Sequence, residues 1–221
     1  MLNPRTPERE RIAKRIAREL RDGDVVNLGI GIPSMIMDFA GDKKVFFQSE
    51  NGILGVGPTP PEEEADYDLV GASRNPVTLT PGASLFDSCA SFAMIRGGHI
   101  DLAVLGALEV DETGEIANWA APGASILGVG GSMDLVAGAR RIIVAMLHQA
   151  KNGKPKLVRH LNCPTSGVKR ADMVVTEKAV FVVRDRKLIL AEIDPGITVD
   201  ELRAVTEANF DVSPRLAPYT N

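Results

Sequence analysis

The segment DVVNLGIGIP, residues 24–33, decides the fold of this chain, because an apolar strand runs here directly into a glycine-rich turn. A strand that ends in such a turn and is followed by a helix is the repeating unit of an α/β sheet. Two further apolar runs, residues 45–48 and 102–105, predict neighbouring strands of the same kind. The sequence therefore predicts an open, mainly parallel sheet with helices on both faces.

Outside this segment, apolar runs and helix-capping residues predict the remaining elements. Thr6-Pro7-Glu8 begins a helix whose apolar residues keep helical spacing until Gly23. Further strands are predicted at residues 77–80, 142–146, 174–175, 180–183 and 188–190, and further helices at residues 34–40, from Ser84 through Ile95, and from Thr198 through Val205. The last two strands form a hairpin, which gives the sheet a mixed edge. Because the sequence shows no internal repeat and no linker, we expect residues 1–221 to form one domain.

Composition and charge exclude several classes of protein. The chain has 221 residues, and 25 Lys and Arg against 29 Asp and Glu give a formal net charge of −4. A weakly acidic chain is a poor partner for nucleic acid, because phosphate binding needs clustered cations. Hydrophobic residues make up 44% of the chain, which is typical of globular rather than disordered proteins. No apolar run reaches the roughly 18–20 residues that a membrane span requires.

The cysteines and histidines indicate the compartment of the protein and exclude some kinds of site. Cys89 and Cys163 are too few and too far apart for a disulfide framework or a zinc cage, which favours a reducing compartment. Residues 1–19 carry charges throughout, which the apolar region of a signal peptide does not tolerate. We therefore expect a cytoplasmic protein. The three histidines lie in unrelated segments, so that neither a metal site nor a Cys/His couple is predicted.

Two glycine-rich loops are candidate binding segments. Gly29 and Gly31 lie between a strand and a helix, but the loop lacks the third glycine of a dinucleotide fingerprint and the lysine of a P-loop. A structural turn is the better interpretation of this first loop. The segment 128–134, with Gly130 and Gly131, offers backbone N–H groups that suit an oxyanion or a thioester carbonyl. Tight packing of a strand against a helix explains the same glycines equally well.

Glu50 is the carboxylate that is out of place in this sequence. It follows the apolar run 45–48, and no other charged residue occurs from Val45 through Pro61. A carboxylate at the carboxyl end of a strand in an open α/β sheet lies where ligand sites form. Partial desolvation there would strip its hydration shell and make it a better nucleophile. The alternative is a glutamate in a turn, satisfied by nearby backbone N–H groups.

The motif Ser49-Glu50-Asn51-Gly52 resembles the active-site signature of family I CoA-transferases, specifically of the β subunit of 3-oxoacid CoA-transferases. The resemblance covers nearly the whole chain, and its motifs occur in the order typical of the family. Further matching segments are residues 27–33, 81–83, 91–99, 105–107, 117–119, 130–135 and 176–181. A series of motifs in this order is far more specific than a lone glycine pattern.

The resemblance implies an open α/β fold, Glu50 as the nucleophile, and an α subunit that completes the enzyme as a heterodimer or an α2β2 assembly. It further implies a ping-pong exchange of CoA between a short-chain (3-oxo)acyl-CoA and a free carboxylic acid, through a CoA thioester on Glu50. Coenzyme A would be a cosubstrate, with no permanently bound cofactor and no metal. The predicted substrate- and CoA-binding residues are Ser49, Asn51, Gly52, Gly29, Gly31, Gly130, Gly131 and Ser132.

The chain departs from the pattern of the family at positions away from Glu50. Ser132 replaces an alanine of the second glycine loop, Glu109 stands where a glutamine is common, and the segment 161–167 is altered. Residues 71–74 are Gly-Ala-Ser-Arg where Asn-Ala-Gly-Lys or Asn-Ala-Gly-Gly is expected. These departures leave the predicted chemistry intact, but they leave the choice of acyl group open.

Two other functions are alternatives to this interpretation. One is a CoA-ester hydrolase on the same fold, and the other is a non-catalytic module that binds CoA or a nucleotide and regulates a partner. A regulatory module would need no nucleophile. The intact Glu50 in its Ser-Glu-Asn-Gly context argues against both.

Overall fold

The computed structural model describes residues 5–121, 123 and 129–220, and within these residues the chain forms a ten-stranded sheet, a three-stranded sheet and four α-helices. The elements in chain order are α1 (Pro7–Ala17), β1 (Val25–Leu28), a 3₁₀-helix (Pro33–Phe39), β2 (Phe46–Ser49), β3 (Ile53–Val56), a short 3₁₀-helix (Glu62–Glu64), β4 (Leu79–Leu85), α2 (Ser88–Arg96), β5 (Leu102–Leu105), β6 (Glu109–Asp111), β7 (Ile116–Ala117), α3 (Ser132–Gly138), β8 (Arg141–Ala145), β9 (Leu157–Val158), β10 (Met173–Val175), β11 (Ala179–Arg184), β12 (Lys187–Ile193), α4 (Val199–Ala204) and β13 (Phe210–Pro218). Over the described part of the chain, no helix has the length and apolar character needed to cross a membrane.

The ten-stranded sheet has a parallel centre and mixed flanks. Its strand order is β13-β12-β11-β10-β8-β5-β1-β2-β3-β4, and the strands from β10 to β2 pair in parallel. On one side β3 and β4 pair antiparallel, and on the other side β11 and β12 do the same. The predicted open, mainly parallel sheet with a mixed edge is confirmed.

The strand order reverses next to β1, and this reversal positions the site. The chain passes from β1 to β2 on one side, and it returns later through α2 to β5 on the other side. The loops that follow β1 and β5 therefore lead in opposite directions and leave a crevice outside the carboxyl ends of the strands, which is where open α/β sheets bind ligands. Because β2 is the other neighbour of β1 and ends at Ser49, Glu50 lies at this edge of the sheet.

Two apolar cores cover the two faces of the sheet. On one face α1 and the 3₁₀-helix 33–39 pack on the strands, with Ile12 fully buried. On the other face lie α2, α3, α4 and the three-stranded sheet, with Ile95 fully buried. Successive residues of β5 alternate between them, since Val104 belongs to the first core and Leu105 to the second. The predicted placement of helices on both faces is confirmed.

Several predicted element boundaries are wrong. The helix α2 is capped by Asp87, whose carboxylate accepts a hydrogen bond from the N–H of Ala90 at 2.8 Å, and not by Ser84, which lies in β4 and pairs with Leu54 of β3. The strand expected at 77–80 is β4, which lies further along the chain and is fixed by its pairing with β3. The segment after residue 33 forms a 3₁₀-helix rather than an α-helix. The first helix begins as predicted but ends at Ala17, well before Gly23.

The C-terminal third contains both a confirmed and a missed element. The capping box of α4 is present in both directions between Thr198 and Glu201, and β11 and β12 form the predicted hairpin. The edge strand β13 was not predicted, because Pro214 and Pro218 are unusual in strands. An edge strand tolerates proline, since one side of its backbone has no partner.

The strand β3 and the short strands β6, β7 and β9 were also missed.

Candidate active site

The turn that carries Glu50 joins β2 to β3 at the carboxyl end of the sheet. The N–H of Gly52 donates to the carbonyl of Ser49 at 3.0 Å and closes the turn. Gly52 has a φ of +123°, a conformation that favours glycine, and a Cβ atom there would overlap the carbonyl of Phe86. Gly52 therefore acts in the fold by letting this turn approach the start of α2.

The two residues that flank Glu50 fasten a neighbouring loop. Asn51 donates through Nδ2 to the carbonyl of Val70 at 2.8 Å, and the hydroxyl of Ser49 accepts from the N–H of Ala72 at 2.8 Å. The structure thus uses the polar atoms of both predicted binding residues to hold the loop 69–76. This arrangement fixes the backbone on either side of Glu50.

Gly131 lies directly against the carboxylate of Glu50. A Cβ atom built on Gly131 would lie 2.7 Å from the carboxyl carbon of Glu50, closer than real Cβ contacts occur. The backbone N–H of Gly131 is near enough to this carboxylate to lower its pKa. Gly131 is the residue before α3, so the second glycine loop and the predicted nucleophile meet although they are far apart in the sequence.

The ionisation of Glu50 is shifted by its surroundings. Burial raises the pKa of Glu50 above the ordinary value for a glutamate, the hydrogen bond from Gly131 lowers this pKa, and the negative charge of Asp134 raises it again. Asp134 lies in the first turn of α3 and pairs with Arg96 of α2, with 2.6 Å between Nε and Oδ1. Glu50 is thus a half-buried carboxylate with a backbone donor on one side and a second carboxylate nearby.

The remaining residues of the second glycine loop lie beside this contact. Gly130 has a φ of +59°, and no atom lies within 4 Å of a Cβ built there. The hydroxyl of Ser132 donates to the carbonyl of Val129 at 3.0 Å, so it is bonded within its own loop. Gly128, at which the predicted segment begins, lies outside the described residues.

The first glycine loop has a structural role in the fold. The N–H of Gly29 donates to the carbonyl of Val104 at 2.8 Å, and a Cβ on Gly29 would lie 3.1 Å from that oxygen. Gly31 has a φ of +94°, and its carbonyl accepts from the hydroxyl of Ser34 at 2.9 Å. These contacts agree with the interpretation of this loop as a tight turn at the reversal of strand order.

Two of the departures from the family pattern contact each other. The carboxylate of Glu109 accepts from the N–H of Asn162 at 2.8 Å, from Nδ2 of Asn162 at 3.2 Å, and from the N–H of Cys163 at 3.3 Å. A glutamate at position 109 therefore holds the altered segment 161–167 through the backbone of Asn162 and Cys163 and the side chain of Asn162.

Sequence reasoning missed Gln48 and Asp134 as members of the site. Gln48 is 3% exposed and lies two residues before Glu50 in β2, where a polar residue inside an apolar run was the available signal. For Asp134 the available signal was its position three residues after Gly131.

In the described part of the chain, no group of three His, Cys, Asp or Glu side chains could hold a metal ion.

Known proteins resemble this chain over most of its length. A family model described as Coenzyme A transferase matches residues 9–204. The chain is 49% identical to the β subunit of acetate CoA-transferase from Escherichia coli (strain K12) over 206 residues, which cover 93% of this chain and 94% of that protein. It is 47% identical to a subunit of the probable succinyl-CoA:3-ketoacid coenzyme A transferase from Bacillus subtilis (strain 168) over 206 residues, which cover 93% of this chain and 95% of that one.

A solved structure supports the same relationship. The acyl-CoA transferase apoenzyme from Escherichia coli O157:H7 has a TM-score of 0.79 with this chain at 25% identity. The match covers 98% of this chain and 44% of that one, so the present chain spans less than half of that protein.

Proposed function

Because this chain belongs to the coenzyme A transferase family, we propose that it is the catalytic β subunit of an enzyme that moves CoA between a short-chain (3-oxo)acyl-CoA and a free carboxylic acid. The relatives named above are subunits of an acetate CoA-transferase and of a probable succinyl-CoA:3-ketoacid coenzyme A transferase, which supports this class of substrate. The observation that carries the proposal is the contact between the Glu50 carboxylate and the backbone of Gly131. It joins a nucleophile to a donor for the developing oxyanion.

The first half of the proposed reaction transfers CoA to the protein. The Glu50 carboxylate attacks the thioester carbonyl of the acyl-CoA, the carbon–sulfur bond breaks, and an acyl-glutamyl anhydride and CoA thiolate form. The thiolate then attacks the glutamyl carbonyl of this anhydride. The first acid leaves as its carboxylate, and CoA stays on Glu50 as a thioester.

The second half runs the same steps in reverse with another acid. Its carboxylate attacks the Glu50 thioester and releases CoA thiolate, which gives a new anhydride. The thiolate attacks the acyl carbonyl of this anhydride, so that the new acyl-CoA leaves and the Glu50 carboxylate is restored. Each half of the reaction begins and ends with one thioester and needs no external base, so coenzyme A acts as a cosubstrate without a permanently bound cofactor.

The surroundings of Glu50 suit these steps. The backbone N–H of Gly131 lies beside this carboxylate and lowers its pKa, and the same group would stabilise the negative charge on the glutamyl oxygen when thiolate or acid attacks the carbonyl. Partial burial keeps water away from an anhydride and a thioester that it would hydrolyse. Burial also weakens the solvation of the carboxylate, which favours its attack on a carbonyl.

We assign the other predicted binding residues to three parts of the site. The backbone of Gly130, Gly131 and Ser132 would contact the thioester end of CoA. The turn of Ser49, Asn51 and Gly52 would form the wall around Glu50. Gly29 and Gly31 would form the floor of the crevice at the strand reversal, through backbone that lies close to β5.

We also propose that an α subunit completes this site. Apolar side chains are exposed in segments next to it: Ile30 in the loop after β1 is 67% exposed, and Leu85 at the end of β4 is 61% exposed. Val129 and Met133, on either side of Gly131, are exposed as well. A partner that covers these residues would bury an interface on the order of 2,000 Å² or more, as permanent hetero-complexes do.

Substitutions at Glu50 test the proposed function in the assembled complex. Glu50→Gln keeps the shape of the side chain but removes its charge, and Glu50→Asp withdraws the carboxylate by one methylene, a misplacement that costs roughly 100-fold or more. Both variants should stay folded and lose turnover. Initial rates of the wild type should follow ping-pong kinetics, with the first acid released before the second binds.

Other outcomes would favour the alternatives. Release of free CoA from acyl-CoA without an acceptor acid, at the rate of turnover, would identify a hydrolase. Wild-type turnover by Glu50→Gln would exclude Glu50 as the nucleophile.

A further inference from the structure

Residues 86–96, which are α2 and the two residues before it, contact β2 and the turn that carries Glu50. Gln48 of β2 donates through Nε2 to the hydroxyl of Ser91 at 2.8 Å. Phe86, next to the cap of α2, donates its N–H to the carbonyl of Gly52 at 2.9 Å. The strand before Glu50 is therefore held by Ser91 of α2, and the turn after it by Phe86, two residues before this helix begins.

The second half of α2 holds the other partner of the site. A Cβ on Gly138, the last residue of α3, would lie 2.7 Å from the carbonyl carbon of Ile95, so the two helices approach backbone to backbone. At the other end of α3, Asp134 pairs with Arg96 at 2.6 Å. Gly131 immediately precedes α3, and the position of this helix sets the position of the Gly131 N–H.

The bond between Gln48 and Ser91 belongs to a buried and satisfied polar group of three side chains. Asn27 of β1 donates through Nδ2 to Oε1 of Gln48 at 2.6 Å, and the two residues are direct partners in the sheet. Asn27 and Gln48 are each 3% exposed, and Ser91 is fully buried. If a buried amide loses one partner, the fold loses stability, because the unpaired donor or acceptor has been removed from water. These three side chains therefore specify one arrangement of β1, β2 and α2.

We infer that α2 sets the distance between the carboxylate of Glu50 and the backbone N–H of Gly131, and that Gln48, Ser91 and Gly138 are positioning residues for this pair. This inference rests on the proposed function of Glu50. Within the described residues, α2 contacts β2 through Ser91, and it contacts α3 through Arg96 and the carbonyl of Ile95. A small displacement of either segment changes the geometry at Glu50, and misplacements of about 1 Å cost roughly 100-fold in rate.

Two substitutions alter the contacts of α2 without changing Glu50 or Gly131. Ser91→Ala removes the partner of Nε2 of Gln48 and releases the strand that leads to Glu50. Gly138→Ala pushes α2 and α3 apart and moves Gly131. Neither residue is among those assigned above to the binding of CoA, so kcat should fall about 10-fold or more while KM for acyl-CoA stays within about twofold.

The experiment uses the assembled complex, with Ser88→Ala on the exposed side of α2 and Ala137→Ser on the exposed side of α3 as matched controls. The measurements are kcat, KM, melting temperature, and the single-turnover rate at which the CoA thioester forms on Glu50. We expect slow thioester formation in Ser91→Ala and Gly138→Ala and wild-type rates in both controls. If Gly138→Ala does not fold, Ser91→Ala alone decides the question, since it only removes a hydroxyl.

Two results would overturn different claims. If the variants melt at lower temperature but form the thioester as fast as the wild type, α2 supports the fold only and the inference is wrong. If the wild type itself forms no thioester on Glu50, the proposed function fails, whatever the variants do.

Discussion

The Cα atom of Gly131 faces the carboxylate of Glu50 so closely that a Cβ there would lie 2.7 Å from the carboxyl carbon of Glu50. The obstacle is the end of a flexible side chain and not backbone. An added methyl group would therefore displace the carboxylate rather than unfold the protein. A small substitution at Gly131 can therefore test whether the second glycine loop acts in catalysis.

Gly131→Ala should lower kcat about 100-fold or more, because it moves the nucleophile and disturbs the backbone donor that faces it. The melting temperature should change little. Steady-state kinetics of the complex and a thermal melt check both expectations, with Ala137→Ser of α3 as the control. A Gly131→Ala enzyme with wild-type kcat would mean that the glycine serves only the packing of α3.

The rate should depend on pH through Glu50. Burial raises the pKa of this carboxyl group above the ordinary glutamate value, and the charge of Asp134 adds to the shift. Because the carboxylate is the nucleophile, kcat should fall as the pH drops through this raised pKa. Asp134→Asn removes a negative charge, so that the midpoint should move to lower pH.

Arg96→Gln provides a control of opposite sign for this pH dependence. It leaves Asp134 without its partner at 2.6 Å, so the midpoint should move to higher pH. Profiles of kcat against pH for the three enzymes test the sign. Identical midpoints would show that neither charge acts on Glu50.

His148 should make the stability of the protein depend on pH. Its ring is fully buried between the hydroxyls of Thr176 and Thr206, at 3.1 and 2.9 Å, and burial, with the charge of Lys178, lowers the pKa of His148 to about 4. The neutral ring is favoured in the fold, so this stability is present above the ordinary pKa of 6.5 and is lost as the pH falls towards 4. A shift of this size corresponds to about 3 kcal/mol.

Urea unfolding of the wild type and of His148→Gln at several pH values measures this contribution. Between pH 7 and pH 4, the free energy of unfolding of the wild type should fall by about 3 kcal/mol more than that of the variant. Parallel curves for the two proteins would show that His148 titrates with an ordinary pKa.

Exposed apolar residues beside the site should be required for assembly with the α subunit. Ile30→Asp and Leu85→Asp place a charge where we propose that the partner packs, so that binding should weaken roughly 10-fold or more. Val212→Asp on β13, at the opposite edge of the ten-stranded sheet, is the matched control. Titration of the α subunit in analytical ultracentrifugation compares the three variants, and equal affinity for all of them would contradict this placement of the interface.

The central strands of the sheet and the position of Glu50 at the end of one of them could be predicted from the sequence, because both depend on local patterns. Apolar runs followed by glycine marked β1 and β5, and a carboxylate without charged neighbours marked Glu50. The capping box at Thr198 was equally local and is present.

The missed features depend on contacts between distant segments. The strand β4 is exposed over most of its length and is placed by its pairing with β3, so its own residues carry no alternating signal. The contact of Glu50 with Gly131 needs α3 to pack on the sheet, and the partners of Gln48 come from β1 and α2. Sequence periodicity reports none of these contacts.

Glu50 should carry CoA as a thioester during turnover, and chemical trapping detects this intermediate. The complex is incubated with acyl-CoA and no acceptor acid, and borohydride is added, which reduces a thioester to an alcohol but leaves a free carboxylate unchanged. Peptide mass analysis should find the reduced side chain at residue 50, only in samples that received acyl-CoA. Reduction at another residue, or an unmodified Glu50 in an enzyme that turns over, would contradict the account.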